Sequence, residues 1–171
     1  MKVAIAIARF LAQHVKHAFV VSGGANLHLI HSIAGTPGID YICMQHEQAC
    51  SFAADAYARL NGMGCAIATS GPGVINLLGG VSASYYDSIP CLYIGGQVMA
   101  ARRGIGWGVR QAGFQAMPNV DLTSPITKYS VEIDDPAQAI PELEKCIRIA
   151  RDGRMGPCFY SICDDVQRAE V

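Results

Sequence analysis

Early in the chain, three short apolar runs each pass through a tight turn into a helical pattern, and no other feature constrains the fold as strongly. Ala18–Val21 leads through Ser22-Gly23-Gly24-Ala25-Asn26 into a helix over about 27–33. Ile39–Met44, which reads as a buried strand, leads through Gln45-His46 into a helix that stops at Asn61-Gly62. Gly64–Thr69 leads through Ser70-Gly71-Pro72-Gly73 into a helix over about 74–86. A helix over 3–15 precedes these units, and a strand over 90–95 follows them. Residues 96–125 read as a long glycine-rich loop with a short helix near 119–122, and a strand over 127–133 comes next. Asp134-Asp135-Pro136 then starts a helix running to about 152, and the last strand covers 156–163. Strands alternating with helices predict an α/β domain of three layers. Its mostly parallel central sheet of about six strands is covered by helices on both faces. Residues 1–171 form one domain without an internal repeat.

In such sheets, ligands bind beyond the C-terminal ends of the strands. The distinctive residues fall there: Gly23-Gly24, Glu47, Gly71-Pro72-Gly73 and Gly95-Gly96-Gln97. Glycines between a strand and a helix let backbone approach a flat or anionic ligand, although tight turns alone also use them. Neither turn carries the Gly-Lys-Ser/Thr or Gly-x-Gly-x-x-Gly pattern of a nucleotide loop. Glu47 stands where a helix begins, and the helix behind it is mostly small and apolar: Ala49, Cys50, Ala53, Ala54, Ala56, Ala58. A carboxylate at the mouth of a buried helix should have its proton affinity raised by desolvation, so that it can share a proton with a ligand's nitrogen base. The alternative is a glutamate that only caps its own helix.

Other candidates are weaker. His28 and His31 lie three apart on one predicted helix, but no third ligand is spaced to join them, and His14 and His17 offer less; no metal site is expected. His46 either orients Glu47 or is structural. Arg102, Arg103 and Arg110, in a loop with Trp107, either meet an anionic ligand or are solvated. No Gly-x-Ser-x-Gly is present, and no histidine is placed to activate a serine or cysteine nucleophile. The seven cysteines are scattered singly through apolar patterns and read as buried free thiols of a reducing cytoplasm. A net charge of −1 gives no case for nucleic acid or an anionic membrane. Lys2, Arg9, Gln13, His14 and Lys16 interrupt any signal-like run near the N-terminus, and no apolar run is long enough to span a bilayer.

Several pieces occur together in order: Ser22-Gly23-Gly24-Ala25, His46-Glu47-Gln48-Ala49, Ala53-Ala54-Asp55-Ala56-Tyr57-Ala58-Arg59, Ala68-Thr69-Ser70-Gly71-Pro72-Gly73-Val74-Ile75-Asn76, Asp87-Ser88-Ile89-Pro90, Gly95-Gly96-Gln97-Val98, Phe114-Gln115, Pro125-Ile126-Thr127-Lys128 and Gly153-Arg154-Met155-Gly156-Pro157. Through them nearly the whole chain resembles the N-terminal, pyrimidine-binding domain of thiamine-diphosphate-dependent enzymes, especially the acetolactate (acetohydroxyacid) synthase-like branch. The resemblance implies that Glu47 hydrogen-bonds a ring nitrogen of the aminopyrimidine. It would thereby promote the tautomer that deprotonates the thiazolium carbon, ahead of decarboxylation of a 2-oxo acid. It further implies that Gly23, Gly24 and Ala25 line the reacting centre. Gly71, Pro72, Gly73 and Asn76 would pack near the pyrimidine, and Gln115 would approach cofactor or substrate. Arg154 matches a position that contacts FAD in flavin-containing members.

Two departures matter. Cys163-Asp164 stand where acetohydroxyacid synthases usually have Pro and Lys, and Ser22 replaces a Pro before the double glycine. They point to a different acyl donor or acceptor and leave FAD an open cofactor. The family's Gly-Asp-Gly…Asn-Asn motif, which holds the diphosphate through Mg²⁺, has no match here, so the middle and diphosphate-binding domains are expected outside this chain. Either 1–171 is the N-terminal part of a longer enzyme, or it is a small subunit paired with a diphosphate-binding partner. Because family sites are shared between chains, a homodimer is the other expected assembly, with the small-residue helix after Glu47 at its interface. The alternatives are a subunit of a 2-oxo acid decarboxylase and a non-catalytic module of the same fold.

Overall fold

In the computed structural model, which describes residues 1–103 and 108–171, six parallel strands form one sheet in the order β2-β1-β3-β4-β6-β5. The strands are β1 (His17–Val20), β2 (Asp40–Cys43), β3 (Gly64–Ala68), β4 (Cys91–Gln97), β5 (Tyr129–Ile133) and β6 (Cys158–Cys163). The helices are α1 (Val3–Leu11), α2 (Leu27–Ala34), α3 (Glu47–Asn61), α4 (Pro72–Tyr86), α5 (Asn119–Thr123), α6 (Ala139–Arg151) and α7 (Asp164–Arg168).

Alternation along the central strands builds the two cores. Cys65 and Ile67, Leu92 and Ile94, and Tyr160 and Ile162 point to one side, where Ile7, Leu11, Leu29, Ile33 and Leu143 of α1, α2 and α6 cover them. Ala66 and Ala68, Tyr93 and Phe159 point to the other side, under Cys50, Ala54, Val74 and Leu77 of α3 and α4. Burying each large aliphatic or aromatic side chain contributes about 1.5–3 kcal/mol, so both faces must be covered at once. The alanines of β3 leave room for α3 and α4 to approach the sheet and each other.

Several expectations need correction. The strand expected over Ile39–Met44 forms at Asp40–Cys43 as an edge strand, not a buried one: Asp40, Tyr41, Ile42 and Cys43 are all exposed, because β2 pairs only with β1, and only the preceding Ile39 enters the core. Cys43 is accordingly an exposed thiol, whereas the other six are buried. The small-residue helix α3 is buried on one face only, with Ala49, Phe52, Ala56 and Leu60 exposed. Helix α1 ends at Leu11, short of residue 15. The glycine-rich stretch begins with β4 still running to Gln97. Helix α7, not anticipated, follows the last strand, and its first turn carries Asp164 and Asp165. Trp107 lies outside the described residues. Among the described residues, no helix is long and apolar enough to cross a membrane.

Candidate functional site

The strand order reverses at β1, which lies between β2 and β3. Connections leaving the C-terminal ends of these three strands therefore diverge and leave a crevice, the place where open α/β sheets hold ligands. Thr69, just past β3, joins the walls. Its Oγ1 accepts a hydrogen bond from the Ala25 N–H at 3.2 Å. A Cβ added to Gly23 would lie 2.5 Å from Thr69 Cβ, so only glycine permits this contact. The turn is locked from within by Asn26, which is 1% exposed. Asn26 Oδ1 accepts from the Gly23 N–H at 2.8 Å and Asn26 Nδ2 donates to the Val21 carbonyl at 3.0 Å.

Glu47 is the first residue of α3 and is half-buried. It does not cap its own helix. That role falls to His46, whose Nδ1 accepts from the Gln48 N–H at 3.1 Å, so His46 is structural here. Glu47 is instead held by α4: Asn76 Nδ2 donates to Glu47 Oε2 at 3.0 Å, while Oε1 has no hydrogen-bond partner among the described residues. A Cβ on Gly73 would come 3.5 Å from Oε1 and 3.0 Å from Thr69 Cγ2. Pro72 takes the first turn of α4, where its missing N–H costs nothing.

The position of Glu47 is set by a ladder between two helices. Every fourth residue of α3 meets α4: Glu47 faces Asn76, Ser51 faces Gly80, Asp55 accepts from Ser84 Oγ at 2.7 Å, and Arg59 donates to Asp87 at 2.6 Å. Arg59 also bonds the buried Asp55 at 2.7 Å, and Tyr93 beneath donates to the Ser51 and Gly80 carbonyls at 3.2 Å. Asp55 is thus a buried charge with its partners in place. Burial, and then the charge of Glu47, push the Cys50 thiol up to about 12, so it stays protonated and is no nucleophile.

On the other side of Thr69, a cavity of about 310 Å³ is lined by Gly24, Ala25, Gln115, Phe114, Arg102 and Asp164. Gln115 sits in the left-handed region at φ 62°. Gly71, at φ +64°, packs against it so closely that a Cβ would be 2.8 Å from Gln115 Cβ. Glu47 is not in this cavity's wall. The predicted residues therefore form two groups sharing Thr69: Glu47, Gly73 and Asn76 on one side, and Gly24, Ala25, Gly71 and Gln115 on the other.

The thiamine pyrophosphate enzyme N-terminal TPP binding domain matches residues 1–123. The chain belongs to this family. It is 36% identical to an acetolactate synthase of Arthrospira platensis over 98% of this chain and 29% of that protein. It is 37% identical to a chloroplastic acetolactate synthase of Arabidopsis thaliana over 91% of this chain and 22% of that protein. It is 33% identical to the acetolactate synthase isozyme 3 large subunit of Escherichia coli K12 over 90% of this chain and 26% of that protein. The chain thus spans between about a fifth and a third of the length of these relatives.

Other residues of this thiamine pyrophosphate-family domain fall away from the crevice. Arg154 lies beyond the opposite edge of the sheet, before β6, where its Nε donates to Ser88 Oγ at 2.8 Å. The loop arginines separate: Arg102 lines the crevice cavity, whereas Arg103 and Arg110 line another between β4, β5 and α5. Arg103 is engaged there by Glu132 at 2.7 Å and by Asp134. His28 faces Asp164 at 3.6 Å, His17 meets Tyr57 at 3.4 Å, and His14 packs on Phe10. No group of three or more metal-ligating side chains comes together among the described residues. Sequence reasoning missed Thr69, Asn26 and Gln167 as site residues. Gln167 is fully buried and donates to the Ala25 carbonyl at 2.7 Å. Only the turn pattern hinted at Asn26, and nothing local hinted at Gln167, which is 142 residues from its partner.

Proposed function

We propose that this chain supplies the aminopyrimidine-binding half of a thiamine-diphosphate site in an acetolactate synthase-like enzyme acting on 2-oxo acids. One observation carries the reading: a half-buried carboxylate at the switch point, with one oxygen held by Asn76 and the other without a protein partner. Such a group suits a ring nitrogen with which it can share a proton. Beside the Gly23–Ala25 turn a cavity of about 310 Å³ is open to a ligand, and a Cβ on Gly24 would meet nothing within 4 Å. Thiamine diphosphate, when bound, supplies the nucleophilic carbon and the electron sink for decarboxylation. Asn76 holds Glu47, and across Thr69 the turn at Gly23–Ala25 lines, with Gln115 and Asp164, the neighbouring cavity that would take the substrate.

Among the described residues no group of metal-ligating side chains comes together for a diphosphate with Mg²⁺, and we assign that half to a further domain or a partner chain. Arg154, the position that the resemblance relates to FAD, donates to Ser88 Oγ at the opposite edge of the sheet. The exposed apolar face of α3 and α4, with Phe52 47% and Ile75 44% accessible, is where a second copy or a partner chain would seat. Asp164, in place of a basic residue, favours an acyl acceptor or donor other than those of acetolactate synthesis, the decarboxylase alternative among them.

The decisive experiment replaces Glu47 with Gln in the protein assembled with its diphosphate-binding half. Hydrogen exchange at the thiazolium carbon, followed by NMR, should slow by roughly 10²–10⁴-fold, the usual weight of a positioned acid–base group. An unchanged exchange rate removes Glu47 from the chemistry. The chain alone should bind thiamine diphosphate weakly and consume no pyruvate in the presence of Mg²⁺; turnover by the chain alone would refute a divided site.

A further inference from the structure

A second cavity, of about 440 Å³, lies between α1, α2 and α7, away from Glu47. Its volume falls within the usual range for small-molecule sites, roughly 300–1,000 Å³. Helices α1 and α2 each present one face to it. Ile5 and Arg9 lie one turn apart on α1, with Lys2 just before its start, and His28, His31 and Ser32 follow at helical spacing on α2. Lys2 and Arg9 have no carboxylate partner among the described residues; the Arg9 guanidinium meets only Met1 Sδ, at 3.3 Å. Two cations turned into one cavity repel each other, and an anion between them reverses the sign of that interaction. The net charge of the chain is −1, so this concentration of positive charge is local. Ile5 and Pro37 supply apolar wall.

Gln167 stands in the same wall. Its Nε2 donates to the Ala25 carbonyl at 2.7 Å and to the Ile162 carbonyl at 3.4 Å, but its Oε1 is buried with no partner. A buried acceptor left unpaired is unfavourable, and a small turn of the Gln167 side chain toward the cavity would bring Oε1 to a ligand hydroxyl. One turn earlier on α7, Asp164 forms part of the crevice cavity, while its Oδ1 faces His28 of this second cavity at 3.6 Å. Its Oδ2 accepts from Arg168 at 2.8 Å. Helix α7 is therefore a shared wall. Gln167 holds the turn at Ala25, and Asp164 looks into the crevice while touching a residue of the second cavity.

We propose that the cavity between α1, α2 and α7 binds a small anion, carboxylate or phosphate monoester, with a hydroxyl beside its charged group, and that α7 relays its occupancy to the Gly23–Ala25 turn. Lys2, Arg9 and His31 engage the anionic group, and the hydroxyl meets Gln167 Oε1. An anion that draws His28 away from Asp164 also alters the charge presented in the crevice.

The test uses the full chain, with glycerol 3-phosphate and glycerate as probes and inorganic phosphate and glycerol as controls, followed by calorimetry and amide chemical shifts. Both probes should saturate, with shifts at Arg9, His28, His31 and Ala25. Inorganic phosphate should bind more weakly and glycerol not at all. Arg9 is exposed, so Arg9→Gln should keep the fold and weaken both probes about tenfold or more, the worth of a charged hydrogen bond. Gln167→Met should abolish the shift at Ala25 while those at Arg9 and His31 persist. No saturable binding of either probe, or affinity unchanged in Arg9→Gln, overturns the site. Inorganic phosphate binding as tightly as glycerol 3-phosphate overturns the hydroxyl contact. A missing Ala25 shift in the unmodified chain, or one that survives Gln167→Met, overturns the relay. The readout is binding alone, so failure here leaves the role of Glu47 standing.

Discussion

Replacing Gly80 with Ala tests the helix ladder that positions Glu47. The added Cβ would lie 2.3 Å from Ser51 Oγ, 2.4 Å from Ser51 Cβ and 2.7 Å from the Ser51 carbonyl carbon. Comfortable carbon–carbon contact needs about 3.5–4.0 Å, so the helices must part by roughly 1 Å. Because a backbone atom is among the obstacles, a rotamer change of Ser51 does not relieve the clash. Overpacking costs about 1–3 kcal/mol in general and about 2–3 kcal/mol where backbone is the obstacle, while alanine returns about 1 kcal/mol of helix propensity, leaving a net loss of about 1–2 kcal/mol. For a domain of this size that lowers Tm by about 2–8 °C. The rung one turn away carries the functional consequence. Moving α4 by about 1 Å stretches the 3.0 Å bond from Asn76 to Glu47 beyond hydrogen-bond range. Thiamine diphosphate affinity should therefore fall along with Tm. Thermal unfolding followed by circular dichroism reads the first effect, and calorimetric titration of the assembled protein reads the second. Adding Ser51→Gly should restore part of both, since it removes the two nearest atoms. A Tm within about 1 °C of the parent, or a double variant worse than the sum of its parts, would refute the ladder.

Four further outcomes are expected. Arg103→Met leaves Glu132, only 15% exposed, without its guanidinium, and chemical denaturation should register a loss of about 3 kcal/mol, as for other half-broken buried pairs. Thiol labelling of the folded chain should modify Cys43 alone at pH 8, with the other cysteines reacting only after unfolding. Burial pushes Cys65 and Cys163 up to about 12 and Cys91 to about 11. Because these folded values lie above the unfolded thiol value of about 8.5, their contribution to stability is complete below that pH and lost as pH rises toward 12, so Tm should be flat to about pH 8 and fall steadily above it. Gln115→Gly relieves a non-glycine residue at φ 62° and should raise Tm by a few degrees, about 1 kcal/mol, while weakening whatever the crevice cavity binds.

Much of this molecule was legible before any coordinates. The change from an apolar run to a 3.6-residue period marks each strand–helix unit, because burial on a sheet and burial on a helix face impose different repeats. That periodicity, with glycines at the joints, determined the α/β class, the six strands and the edge of the sheet where the candidate site is proposed. It also brought Glu47, Gly23, Gly24, Gly71 and Gly73 to that edge, since each follows directly on a strand's end. Periodicity is local, however, and says nothing about which strand is a neighbour of which. Only the tertiary structure decided that the strand at residues 40–43 is an exposed edge, and that His46 rather than Glu47 caps α3. Only it showed that Thr69 joins two glycine turns, and that Gln167 reaches Ala25 from the far end of the chain. These are contacts between groups distant in sequence, chosen by the shape of a shared core rather than by any pattern along the backbone.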